Sequence, residues 1–86
     1  MKPQNVRLFV KPLCPWCAEA QEGLRLRGIS YETLDVISSP AAMQEMIRLT
    51  GQTKAPSLDI DGYILADFGA HELDVWWVKM GFEDGH

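Results

Sequence analysis

The sequence predicts an α/β domain, a four-stranded mixed sheet flanked by three helices in the order β-α-β-α-β-β-α. Three observations carry this. Val6-Arg7-Leu8-Phe9-Val10 is almost continuously apolar, as a central strand covered on both faces requires. Helix-like and strand-like periods alternate through Thr50, the pattern that parallel pairing needs. Asp61-Gly62 then joins two short apolar runs in the manner of a tight hairpin turn.

Each element has a local reason. After the Val6–Val10 strand, Lys11-Pro12-Leu13 reads as a loop. The first helix opens near Cys14 and runs over 15–27, with Pro15 at a position where a missing N–H costs nothing. Cys17, Ala20 and Leu24 share one face, Arg25 and Arg27 suit the last turn, and Gly28 caps it. Residues 29–36 read as the second strand, completing a unit of the length of a right-handed crossover. Ser39 and Pro40 start the second helix, Met43, Met46, Ile47 and Thr50 line one side of it, and Gly51 ends it. Residues 52–56 form a loop before the strands 57–60 and 63–65. The last helix spans about 69–80, with Leu73, Trp76, Trp77 and Met80 at core spacing. The acidic tail, 81–86, reads as frayed.

The totals set bounds. Eighty-six residues suit a single domain, 1–86, and 47% hydrophobic with 23% charged residues is an ordinary globular composition. A net charge of −4 argues against general nucleic-acid binding, which needs a basic face. No apolar stretch has the length of a membrane span, and no apolar leader precedes the first strand, so a cytoplasmic, monomeric chain is the expectation. In a reducing compartment a lone disulfide is rarely a structural staple.

The chemistry rests on Cys14-Pro15-Trp16-Cys17, which holds the only two cysteines. A C-x-x-C pair at a strand-to-helix turn suits reversible disulfide exchange. Cys14 lies where unpaired helix N–H groups favour a thiolate, with Lys11 adding charge nearby, and is read as the nucleophile. Cys17, one turn on, is the resolving thiol that expels the product from a mixed disulfide. A zinc site would need two more ligands, and only His71 and His86 are on offer; a cysteine–histidine hydrolase would leave Cys17 unexplained. Trp76 and Trp77 read as core residues and His71 as a surface one.

Over nearly its whole length the chain resembles the glutaredoxin family, small oxidoreductases of thioredoxin-like fold. Lys11-x-x-Cys14-Pro15-Trp16-Cys17 is similar to the family's Lys-x-x-Cys-Pro-Tyr-Cys site, with Trp16 for tyrosine; Thr50-Gly51-Gln52 with Ala55-Pro56 resembles its segment ending in Thr-Val-Pro, and Ile60-Asp61-Gly62 the hairpin after it. The resemblance implies a cis Pro56 that turns the Ala55 backbone toward an extended substrate. It implies glutathione as co-substrate, with Lys11, Trp16, Gln52 and Lys54 among its contacts and no metal. Disulfide-containing proteins and glutathione are the implied partners.

One segment departs from the family. Where Gly-Gly is usual, this chain has Ala66-Asp67-Phe68-Gly69. Asp67 can cap the last helix with its own carboxylate, taking the N–H groups meant for a ligand carboxylate and repelling it. Phe68 either walls the groove or packs under the hairpin. Two further readings stay open: a redoxin fed by thioredoxin reductase, of the kind that serves ribonucleotide reductase, and a glutathione-ligated iron–sulfur module.

Overall fold

A computed structural model describes residues 1–86, and its elements follow the predicted order. They are β1 (Val6–Val10), α1 (Pro15–Leu26), β2 (Glu32–Asp35), α2 (Pro40–Thr50), β3 (Ser57–Ile60), β4 (Tyr63–Ala66) and α3 (Ala70–Met80). The sheet order is β2-β1-β3-β4. β1 pairs parallel with β2 and antiparallel with β3, and β4 pairs antiparallel with β3. No helix is long and apolar enough to cross a membrane.

The pleat of β1 and β3 sorts side chains between two cores. Val6 and Leu8 of β1 join Leu58 and Ile60 of β3 on one face, under Ala20 and Leu24 of α1 and Leu73 and Trp77 of α3. Phe9 lies on the other face with Val36 and with Ala42 and Met46 of α2. Helices α1 and α3 therefore cover one side and α2 the other. The second side is also polar. Arg7 donates from Nε and Nη2 to Asp59 Oδ2, at 3.1 and 2.6 Å, and from Nη2 to Glu45 Oε1 at 3.3 Å. Asp59 Oδ1 accepts the Gly62 N–H at 2.9 Å, so this 7%-exposed carboxylate is satisfied by both a cation and the hairpin. The Asp59 hydrogen bond raises the Arg7 pKa above its ordinary value.

Local signals hold at most ends. Gly28, at φ 69°, ends α1 in a Schellman motif: Ile29 N–H reaches Leu24 O at 3.1 Å and Gly28 N–H reaches Arg25 O at 3.0 Å. Ser39 caps α2, its hydroxyl accepting the Ala42 N–H at 3.2 Å. Asp61 and Gly62 both take positive φ, as the hairpin turn demands.

Three expectations need correction. The second strand is four residues, not 29–36, because Ile29 closes the α1 cap and the Asp35 carboxylate turns the chain by accepting the Ile37 and Ser38 N–H groups. The buried side of α2 runs through Ala42 and Met46, while Ile47 is exposed, because the helix is rotated to bring Ala42 against Phe9. The tail is not frayed. Phe82 is 7% exposed and packs against Trp76 and Trp77, each ring centroid 5.1 Å away. Glu83 N–H bonds Met1 O, Gly85 N–H bonds Arg27 O, and Trp77 Nε1 donates to Asp84 at 3.1 Å.

Phe82 is thus a core residue. Phe82→Ala is expected to lower unfolding stability by about 3 kcal/mol, the usual cost of deleting a buried aromatic ring. Urea denaturation of the two proteins measures it; a loss well under 1 kcal/mol would return the tail to the solvent.

Candidate active site

The end of β1 delivers the chain to a tight loop in which Leu13 takes φ 55°, a conformation uncommon for a non-glycine residue. Leu13 is fully exposed beside Cys14. Cys14 is the N-cap of α1, and its sulfur accepts the Cys17 N–H at 3.2 Å. A negative sulfur there gains both that hydrogen bond and the helix N-terminus. Both thiols are free, but their exposure differs. Cys14 is half-buried, and Cys17 is only 2% exposed under the first turn. Attack from outside can reach Cys14 and not Cys17.

Burial, and then the neighbouring Cys14 sulfur, push the Cys17 thiol up to about 11 from an ordinary 9.0; the Lys11 backbone and ammonium pull the other way. Lys11 shares with Leu13, Cys14, Cys17 and Gln21 an open groove of about 500 Å³ on one side of the motif. Lys11 makes no ion pair there.

A second, smaller cleft lies on the other side of the motif. It is lined by Trp16, Asp67, Phe68, Gly69 and Glu72. Trp16 is 59% exposed, and its ring lies close enough to Gly69 that a Cβ built there would meet Trp16 Cζ3 at 3.3 Å. The Phe68 side chain is buried in the main core, which decides between its two expected places in favour of packing, although the residue still borders the cleft.

The Ala55–Pro56 bond is cis. Pro56 is buried, and its carbonyl accepts the Asp67 N–H at 2.9 Å, tying this loop to the turn before α3. Ala55 makes no hydrogen bond within the chain through either its N–H or its C=O. An unpaired, half-buried backbone unit of this kind suits an extended segment laid beside it.

Two further residues take other work than expected. Gln52 turns its amide inward on its own loop. Its Oε1 accepts the Lys54 N–H, and its Nε2 donates to Lys54 O at 3.3 Å and Ser57 Oγ at 3.4 Å. Asp67 does not cap α3. The N-cap is Gly69, and Glu72 Oε1 accepts its N–H at 2.8 Å. Asp67 sits two residues ahead of the cap, at φ 52°, with its carboxylate 3.9 Å from Lys54 Nζ. Glu72 is therefore the carboxylate at the helix start. A signal for it was present in the three-residue spacing from Gly69, but glycine in place of Ser or Thr hides the usual capping-box signature.

The high Cys17 value fixes a sign for alkaline behaviour. The unfolded chain ionises this thiol first, so the stability it contributes is complete below about pH 9 and is lost as the pH rises toward about 11. In Cys14→Ser, which leaves Cys17 as the sole thiol, ultraviolet thiolate absorbance is expected to emerge well above the ordinary thiol range. Ionisation at the ordinary value would show that Cys17 is not shielded.

Comparison with known proteins agrees with this geometry. The family model for glutaredoxin matches residues 6–65. A glutaredoxin-like 8.6 kDa protein in the rubredoxin operon of Clostridium pasteurianum is 30% identical over 69 residues, covering 80% of this chain and 92% of that one. Glutaredoxin 3 of Escherichia coli K12 is 35% identical over 57 residues, covering 66% and 69%. The crystal structure of a thioredoxin-like protein superposes with a TM-score of 0.75 at 27% identity, covering 83% of this chain and 97% of the other. With the family model matched over residues 6–65, and with two free cysteines at the start of α1, the chain belongs to the glutaredoxin family and has the thioredoxin fold.

Proposed function

We propose that this protein is a dithiol glutaredoxin that reduces protein disulfides or protein–glutathione mixed disulfides. The observation that carries the reading is the asymmetry of the two thiols: an accessible Cys14 sulfur holding the Cys17 N–H, and a buried Cys17 directly behind it.

The Cys14 thiolate attacks one sulfur of the substrate disulfide. The Cys14–substrate bond forms, the substrate S–S bond breaks, and the departing sulfur takes the electron pair and a proton. Cys17 then loses its proton and attacks the Cys14 sulfur. The second substrate thiol leaves, and a Cys14–Cys17 disulfide remains. Two electrons have passed from protein to substrate. Glutathione, in two equivalents, returns them. Burial favours the protonated form of Cys17 in the reduced protein, which supports its reading as the second thiol to react. The exposed Leu13 and Trp16 on either side of Cys14 give a protein substrate apolar surface to dock on.

A second electron donor, thioredoxin reductase, is favoured by one observation. Asp67 and Glu72 place two carboxylates at the start of α3, where an anionic thiol such as glutathione meets like charge.

Cys14→Ser is expected to lower disulfide reduction roughly a thousandfold or more, to the background of uncatalysed exchange. Cys17→Ser is expected to keep turnover of a glutathione mixed disulfide, lose protein-disulfide reduction, and accumulate a Cys14 adduct visible by mass spectrometry. Equal loss of both activities in Cys17→Ser would rule out a monothiol route. Coupled assays, glutathione with glutathione reductase against thioredoxin reductase with NADPH, decide the donor.

A further inference from the structure

We infer that the Trp16 cleft docks a basic side chain beside the reacting cysteine of a protein substrate, so that this chain selects disulfides flanked by Arg or Lys over those flanked by Asp or Glu. The inference rests on the reading of Cys14 as the attacking thiol.

The cleft is about 220 Å³, room for a guanidinium or ammonium head and part of its stem. One wall is the Trp16 ring, exposed over more than half its surface and two residues from Cys14. An indole face is the strongest aromatic partner for a cation. The opposite rim carries Asp67 and Glu72. Glu72 has no cationic partner, and Asp67 has only a long one. Glu72 uses Oε1 for the Gly69 N–H and leaves Oε2 without a hydrogen bond, and it makes no ion pair. Asp67 accepts no hydrogen bond, and its one cation, Lys54, stands at 3.9 Å with both side chains more than half exposed. Such a pair is weak and readily exchanged for a better one. A cleft bordered by an exposed ring and by two carboxylates with spare acceptor capacity is complementary to a planar cation, which can stack on one and bond the other.

The surroundings extend the same sign. One turn along α1, Glu19 lines a groove with Ala70, Arg27 and Asp74; Arg27 pairs with Asp74, and Glu19 makes no ion pair, which leaves one further free carboxylate on this side. Lys11 lies in the other groove, on the far side of the motif. The two sides of the motif thus differ in charged groups: Asp67 and Glu72, with Lys54 beside Asp67, border the Trp16 cleft, and Lys11 borders the other groove. An acidic residue delivered to the Trp16 side meets two like charges at a helix start already occupied by Glu72.

The chemistry is the exchange already described. A substrate docked this way places its cysteine sulfur over Cys14, the Cys14–S bond forms as the substrate S–S bond breaks, and Cys17 completes the two-electron reduction. The cleft changes which disulfides are held long enough to react.

The test uses matched cyclic peptides, each closed by one disulfide, with Arg or Glu beside both cysteines. Reduction by excess reduced protein is followed in a single turnover without oxygen and divided by the rate with dithiothreitol, which removes intrinsic reactivity. The Arg peptide is expected to react about tenfold faster, with the advantage shrinking as salt rises. In the double variant Asp67→Asn with Glu72→Gln the ratio is expected to fall to about twofold or less. Asparagine tolerates the left-handed backbone at 67, and glutamine keeps an acceptor for the Gly69 N–H, so the fold is retained. Equal rates for the two peptides in the unaltered protein, or an Arg preference that survives the double variant, would overturn the inference while leaving disulfide reduction in place. Reduction of neither peptide would overturn the disulfide-reductase reading and this preference with it.

Discussion

Cys17 donates its backbone N–H to the Cys14 sulfur over 3.2 Å, a cap bond within the first turn of α1, and the rotation in which α1 is clamped on the sheet decides which of the two sulfurs it leaves exposed. Cys17, Ala20 and Leu24 form the buried stripe that sets the rotation. Turning the helix by one residue would expose Cys17 and swing the cap away from the end of β1. The same clamp keeps Cys14 more exposed than Cys17, the asymmetry on which the proposed attacking and resolving roles rest. Pro15 supports it by starting the helix without an N–H to satisfy, leaving Cys17's N–H for the sulfur.

The sheet beneath provides a rigid seat. β1 lies between β2 and β3, and its side chains alternate between an apolar core under α1 and α3 and a mixed layer under α2. In that mixed layer Arg7 joins β1 to β3 through Asp59 and to α2 through Glu45. Arg7 also lies over the Phe9 ring, its Cζ 5.6 Å from the centroid, so a polar network and an aromatic surface share the space. The tail closes the far end of the apolar core, Phe82 filling the space between Trp76 and Trp77.

Three chain segments are tied together in series: the first turn of α1, the turn before α3 and the cis-proline loop. Trp16 on Gly69 joins the first to the second, and Asp67 N–H on Pro56 O joins the second to the third. Gln52 holds the cis-proline loop from within, which leaves the Ala55 backbone free. The motif thus sits between a groove that holds Lys11 and a cleft that holds Asp67 and Glu72.

The sequence alone determined the order of elements, the caps of α1 and α2 and the place of the two cysteines at the start of α1. These follow from short-range physics: Pro15 at a helix start, Ser39 and Pro40 before α2, Asp61-Gly62 in a hairpin, and cysteines three residues apart. It also placed Leu73, Trp76, Trp77 and Met80 on one side of α3, because period alone selects them. Tertiary structure decided the rest. It chose Glu72 and not Asp67 for the start of α3, turned Gln52 onto its own loop, shortened β2 and drew Phe82 into the core. Each of these depends on which distant group lies within hydrogen-bonding or packing reach, and local periodicity carries no information about that distance.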